Sequence, residues 1–279
     1  MTPHVGVEHS AMIVSRRTVL TGSATVAAAS MAARSAGAQD RQRLGIVGMV
    51  KPVRRPGTLE EIVPFLPPGV GMIPVYVGIT QGTENEFEAV LPAYEKEVAL
   101  LAAQRCDIMS VEGGPVFLVA GLARETAMVK AWEKTYGIPI FTPPQNQVNA
   151  LHALGAKSFV GATYFPNDQN AVYATYFKAA GFDVLSLDGI PGYTFDQVQD
   201  IPGERVAEYI RASVAQHPQA QAIYMLGSGW HVSDIIGPLE KELGIPVVHP
   251  VIARAWEIQK RLHLHLPIPG YGKLLAELP

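Results

Sequence analysis

The 279-residue chain carries 22 Lys and Arg against 25 Asp and Glu, a formal net charge of -3, with 17% charged and 48% hydrophobic residues. That balance supplies no basic stripe, and no RNP, helix-turn-helix or zinc-finger spacing accompanies it, so nucleic acid is excluded as a partner. A single cysteine, Cys106, leaves no intrachain disulfide to form. It stands at the entry of an apolar strand, where a free thiol reads as a packing residue.

Residues 1–38 read as a twin-arginine export signal: Ser15-Arg16-Arg17-Thr18-Val19-Leu20, an Ala-rich stretch to Ala33 and the small-residue cleavage site Ala36-Gly37-Ala38. The apolar part, 19–33, falls short of the roughly 20 residues of a membrane span. A periplasmic location is therefore predicted, with no stable membrane insertion after cleavage.

From there short β-rich runs alternate with segments of helical periodicity, which predicts βαβ units and parallel sheets. Strands are expected at Leu44–Val50, Val75–Ile79, Asp107–Val111 and Ile138–Thr142, then at Ser158–Thr163, Asp183–Leu187, Ala222–Leu226 and Val247–His249. Phe87, Val90, Leu91, Tyr94, Val98 and Leu101 form one face of a helix over Glu84–Gln104. Further helices are predicted over Gly114–Tyr136, Asn167–Ala180, Gly203–Gln216, Val232–Leu243 and Val251–Leu262. Arg54–Gly71, with four prolines and three glycines, is a long connection that reads equally as a lid, an oligomer contact or an exposed loop. The tail around Pro269-Gly270-Tyr271-Gly272-Lys273-Leu274 is expected to return onto the first lobe.

Three matches in one order show that the fold is duplicated. Gly137-Ile138-Pro139-Ile140-Phe141-Thr142-Pro143 repeats as Gly244-Ile245-Pro246-Val247-Val248-His249-Pro250, an offset of 107. Ile108–Pro115 repeats as Ile223–Trp230, and Gly45–Pro52 as Phe159–Pro166, at offsets of 113 to 115. The fold class that follows is α/β: two pseudo-symmetric Rossmann-like lobes with parallel sheets and an interlobe cleft. Lobe 1 takes residues 42–143 plus 251–279 and lobe 2 takes 144–250; a cleft between such lobes is the place for a small molecule. The chain is expected as a monomer or small homo-oligomer.

Ligands of parallel α/β sheets bind beyond the carboxyl ends of the strands. Both glycine turns, Gly113-Gly114-Pro115 and Gly227-Ser228-Gly229, fall there and can aim backbone amides at an anion. Gly113, Gly114 and Gly229 are the candidate substrate-binding amides, with Tyr164 able to donate its phenol to a carboxylate. Ser228 reads either as a helix N-cap or as a catalytic hydroxyl served by His231. Glu112 is a candidate base if it faces the cleft. His263-Leu264-His265 lacks a third ligand at metal spacing, and no metal is expected.

These residues resemble the aspartate/glutamate racemase superfamily, in its branch of arylmalonate decarboxylase and maleate isomerase. The resemblance covers about residues 44 to 277. It is carried by Met109-Ser110-Val111-Glu112-Gly113-Gly114, Gly137-Ile138-Pro139, Ala150–Ala156, Gly161-Ala162-Thr163-Tyr164, Leu226-Gly227-Ser228-Gly229, Gly244–Val248 and Pro269–Leu274. It implies an enzyme without a cofactor that holds a small (di)carboxylic acid on backbone amides and hydroxyls and passes through an enediolate-like intermediate. Decarboxylation or cis-trans isomerisation is then expected, with Ser228, His231 and Glu112 as the catalytic candidates. The family places one or two proton-carrying cysteines at the glycine turns; this chain has Gly113 and Gly114 at one and Ser228 at the other. A serine hydroxyl is a far weaker acid than a thiol of pKa about 8.5, so two-thiol racemisation is excluded. Two alternatives stand beside the enzyme: a periplasmic carboxylate-binding protein without chemistry, and a hydrolase using Ser228 and His231.

Overall fold

The computed structural model describes residues 43–54, 59–193, 195–227 and 229–279, without the side chains of Phe195 and Asp196. The predicted export signal and Ser228 therefore lie outside the described residues. Among those described, no helix is long and apolar enough to cross a membrane. Residues 43–279 form one compact unit.

Two four-stranded sheets, all parallel, make up its frame. The first orders β1 (Gly45–Lys51), β2 (Val70–Tyr76), β3 (Ile108–Val111) and β4 (Ile140–Phe141) as β2-β1-β3-β4. The second orders β5 (Ser158–Thr163), β6 (Asp183–Gly189), β7 (Ala222–Leu226) and β8 (Val247–Val248) as β6-β5-β7-β8, the same pattern again. Repeat-related glycines hold equivalent places in the two sheets: Gly48 pairs with Met109, and Gly161 with Tyr224. Central strands sandwiched by helices must be apolar on both faces. Val47, Met49, Val50, Phe159, Val160 and Ala162 are accordingly buried.

Helices α1 (Glu84–Ala89), α2 (Leu91–Ala103), α3 (Gly114–Ala120) and α4 (Leu122–Tyr136) connect the first strands. Then follow α5 (Pro143–Ala153), α6 (Asn167–Ala179), α7 (Gly203–Gln216), α8 (Ser233–Leu243), α9 (Pro250–Arg261) and α10 (Lys273–Glu277). Two predicted helices are each broken in two. Pro92 opens α2 without an N–H to continue α1, and Gly121, at φ 81°, separates α3 from α4. The second strand starts and ends earlier than the predicted Val75–Ile79, because Pro74 is tolerated on an edge strand. The tail touches both lobes: Tyr271 meets Phe65 edge-on, and the Lys273 N–H donates to Glu240 on α8.

Polar contacts fasten the two lobes where their helices meet. Glu125 on α4, fully buried, accepts from the Thr142 hydroxyl after β4 and from the Tyr176 phenol on α6. The Tyr224 phenol on β7 donates to Gln147 Oε1 on α5 at 2.8 Å. Burial pushes the Glu125 carboxyl from 4.5 up to about 7. A raised folded pKa means that the native state keeps a proton the unfolded chain releases. The contribution is fully present below about pH 4.5 and is lost as pH rises through about 7. Glu125→Gln is expected to flatten that part of the stability profile, read as a smaller fall in Tm between pH 5 and pH 8 than in the parent protein.

Candidate functional site

The two repeats converge on one cavity. Pro143 and Pro250, which end the duplicated Gly-Ile-Pro segments, both line it, and a Cβ placed on Gly114 would lie 3.3 Å from Leu226 Cδ1. The end of β3 in the first lobe thus faces the end of β7 in the second. Glu112, Gly113, Gly114 and Tyr164, four of the residues singled out in the sequence, lie in this wall together. The enclosed space is about 40 Å³. On that measure one water needs roughly 10–15 Å³, so the cavity is the size of a carboxylate head. Tyr164 also belongs to the wall of an outer cavity of about 500 Å³, which runs between Gln81–Thr83 and Gly189–Tyr193.

Sequence reasoning missed the charges that surround Glu112. Lys51, the last residue of β1, places Nζ 2.7 Å from Glu112 Oε2, and Arg254 on α9 places NH2 3.1 Å from the same oxygen. Lys51, Glu112 and Arg254 are 3%, 3% and 2% exposed, so two cations face one carboxylate out of water. Glu61, in the turn before Val63–Phe65, faces the same group. Burial pushes its carboxyl up to about 8, against the pull of Arg254 and Lys51, so it is protonated near neutrality. Burial likewise lowers Lys51, with Glu112 opposing the shift. Glu112 therefore does face the cleft, with Oε2 engaged by both cations and Oε1 without a partner.

One signal in the sequence points to these residues. The 107-residue offset that maps Pro143 onto Pro250 also maps Gln147 onto Arg254. Each stands one helical turn inside α5 or α9, and each lines the cavity. Gln147 is fully buried, with Oε1 fixed by Tyr224 and Nε2 unpartnered.

The second glycine turn is held from behind. His249 Nε2 lies 3.2 Å from the Gly227 carbonyl, which can only accept, so Nε2 carries the proton. Burial lowers the ring to about 3, which keeps it neutral. The Trp230 ring covers Gly227 so closely that a Cβ there would come within 2.1 Å of it. Gly229 is buried against Val198 and does not belong to the cavity wall. His231 is exposed and also outside that wall, so the structure does not bring it to Glu112 or Tyr164. Cys106 is buried under Gly48 at the other end of β3, and burial pushes its thiol up. It lies seven positions before Gly113. At about 3.3 Å per residue of strand, it is no substitute for a thiol at the turn.

At the first turn the backbone dictates glycine. Gly113 has φ 110°, and a Cβ there would fall 2.2 Å from the Tyr94 hydroxyl, itself buried without a partner. Gly113→Ala is expected to cost about 1–3 kcal/mol. Tyr94→Phe, which removes an unpartnered buried hydroxyl, is expected to be neutral or stabilising. In the double variant the cost of Gly113→Ala should shrink but persist, because the hydroxyl goes while the positive φ remains. Urea midpoints of the four proteins measure this coupling.

Comparisons with known proteins agree with this architecture. The model of the arylmalonate decarboxylase family matches residues 48–275. The arylmalonate decarboxylase of Bordetella bronchiseptica is 23% identical over 221 residues, covering 77% of this chain and 87% of that protein. A maleate isomerase of Nocardia farcinica is 27% identical over 130 residues, 47% of this chain and 51% of that one. The crystal structure of the maleate isomerase Iso from Pseudomonas putida S16 superposes with a TM-score of 0.77 at 17% identity, covering 84% of this chain and 99% of its own. The family match spans most of the chain, and the shared fold carries the same two sheets: the chain belongs to the arylmalonate decarboxylase family.

Proposed function

We propose that the protein is an exported, cofactor-independent enzyme that decarboxylates or isomerises a small (di)carboxylic acid through an enediolate-like intermediate. One observation carries this reading beyond family membership. The cavity where the two repeats meet is lined by two cationic side chains, Lys51 and Arg254, and one anionic one, Glu112. Such a site favours a carboxylate, and favours an enediolate as charge develops on its oxygens. The export part rests on the twin-arginine segment alone.

In the decarboxylation form of the reaction, the bond between the α-carbon and the departing carboxylate breaks. Carbon dioxide leaves, and the electron pair stays on the enediolate. The Gly114 amide and the Tyr164 phenol would hold the retained oxygens, and a proton would then go to the α-carbon. Ser228, at the second turn in the sequence, and Glu112, whose Oε1 has no hydrogen-bond partner, are the candidates to move it. In isomerisation an enediolate would form instead by addition of a nucleophile, for which the Ser228 hydroxyl is the candidate, to one alkene carbon. Rotation about the resulting single bond and expulsion of the same nucleophile would restore the double bond, with no carbon dioxide lost.

A second reading, a carboxylate-binding protein without turnover, is favoured by one feature: neither glycine turn has a thiol. The hydrolase alternative has less support, since His231 stands exposed and outside the cavity wall. Incubation of the purified protein with substituted malonates and with maleate separates the two remaining readings. Release of carbon dioxide or formation of fumarate is expected. Ser228→Cys is expected to raise that rate at least tenfold, because a thiol is much closer to proton exchange near neutrality. Binding with no turnover, in both the parent and Ser228→Cys, supports the second reading and sinks the first.

A further inference from the structure

A buried carboxyl joins the two lobes at a position that the duplicated fold fills elsewhere with an apolar side chain. The buried residues of α4 are Glu125, Val129 and Trp132. The offset of 107 that relates the Gly-Ile-Pro segments carries them onto Val232, Ile236 and Leu239, which are buried as well. Two of the three positions are apolar in both copies. At the third, one copy has valine and the other Glu125, so packing alone does not require a carboxyl there.

Both partners of that carboxyl lead to the cavity. Thr142 follows β4, the last strand of the first sheet, and the next residue, Pro143, lines the cavity. Tyr176 lies on α6, after the first strand of the second sheet. Its phenol is close enough to that of Tyr224 for the two to interact, and Tyr224 donates to Gln147 in the cavity wall. No counter-ion accompanies Glu125. Among the described residues, the groups acting on it are the Thr142 and Tyr176 hydroxyls, and α2 and α3, which also pack on α4, place no charge against it. Neutral, the carboxyl donates to one hydroxyl and accepts from the other. Ionised, it has given its proton to water and is a buried charge without a cation, which is unfavourable until water reaches it.

We propose that Glu125, Thr142 and Tyr176 form a proton-operated latch between the lobes, which holds the Pro143 end of α5 against α6 while the carboxyl is protonated and releases it on ionisation. Glu125 is a positioning residue: it is absent from the cavity wall and acts through its two hydroxyl partners. In the closed form burial holds the carboxyl up at about 7, and in the opened, hydrated form it returns toward its ordinary 4.5. The opened form therefore gains on the closed one as pH rises from about 4.5 to about 7, and gains no more above that. The inference stands apart from the enzymatic reading, since the opening needs neither a ligand nor turnover.

Amide hydrogen exchange of the whole protein, read by mass spectrometry from about pH 5 to about pH 8 and corrected for the chemical exchange rate, tests the latch without a ligand. Amides of segments 137–153 and 167–179 are expected to exchange at least tenfold ahead of those of β1, which marks local opening rather than unfolding of the whole molecule. Their opening constant should rise roughly fivefold to tenfold per pH unit between about pH 5 and pH 7 and level off above. Glu125→Gln keeps a donor and an acceptor in the same place and cannot ionise. Its exchange in these segments should stay near the parent's value at about pH 5 across the whole range. Glu125→Val, which installs the residue of the other copy, should also lose the pH step and keeps the test valid if the Gln variant fails to fold. No step in the parent, a step of equal size in either variant, or exchange in these segments no faster than in β1 overturns the proposal. Absence of turnover with malonates and maleate removes the enzymatic reading and leaves the latch standing; turnover without the pH step does the reverse.

Discussion

The three-charge cluster of Lys51, Glu112 and Arg254 is the constraint around which the rest of the site is arranged. Its members come from the end of β1, the end of β3 and the first turns of α9, so it ties the helix that follows the second sheet to the strands of the first. Desolvating three charges costs more than their attraction readily returns, and apolar groups of like volume would often serve stability as well or better. The cluster sits where Pro143 and Pro250 of the duplicated segments meet the first glycine turn, Gly113-Gly114.

Duplication explains why the spot exists, and divergence explains what it has become. Two copies of one βα plan, each strand order matching the other, put equivalent residues on opposite sides of a shared space. Had the copies stayed alike, the pocket would have presented the same chemistry on both sides and would have suited a symmetric ligand. Lys51 against Tyr164 and Arg254 against Gln147 break that equality. The same divergence separates Thr142 from His249, the residues just before the paired prolines. Thr142 donates to the interlobe Glu125, while His249 holds the Gly227 carbonyl, so one copy braces the lobes and the other braces the turn.

The fold was legible because its signals are local and repeated. Short apolar runs marked seven of the eight strands to within about two residues, and the Gly-Ile-Pro repeat exposed the two-sheet plan. Breaks within helices were not legible, since Pro92 and Gly121 interrupt segments whose apolar spacing continues across them. Helix α5 escaped because Pro143-Pro144 opens it and its apolar residues are few. Of the residues that line the cavity, Glu112, Gly113, Gly114 and Tyr164 could be singled out from their place after strands. Lys51, Gln147 and Arg254 were not, because a lone Lys or Arg in sequence looks like a solvated residue. Only the repeat offset, extended one helical turn past the proline, links Gln147 to Arg254. His231 shows the opposite error: closeness in sequence to the second turn did not become a place in the cavity.

The charge cluster also bears on how chemistry could proceed without a thiol. A thiol at a glycine turn provides a mobile proton but little stabilisation of the anion that receives it. A cationic, water-poor cavity does the reverse: it lowers the energy of an enediolate relative to its neutral precursor through fixed charges that need not reorganise. Once the intermediate is stabilised electrostatically, the proton carrier need only be adequate rather than finely matched. A weak acid at position 228, or a carboxyl at Glu112 already set between two cations, then meets a smaller barrier than it would in an apolar pocket.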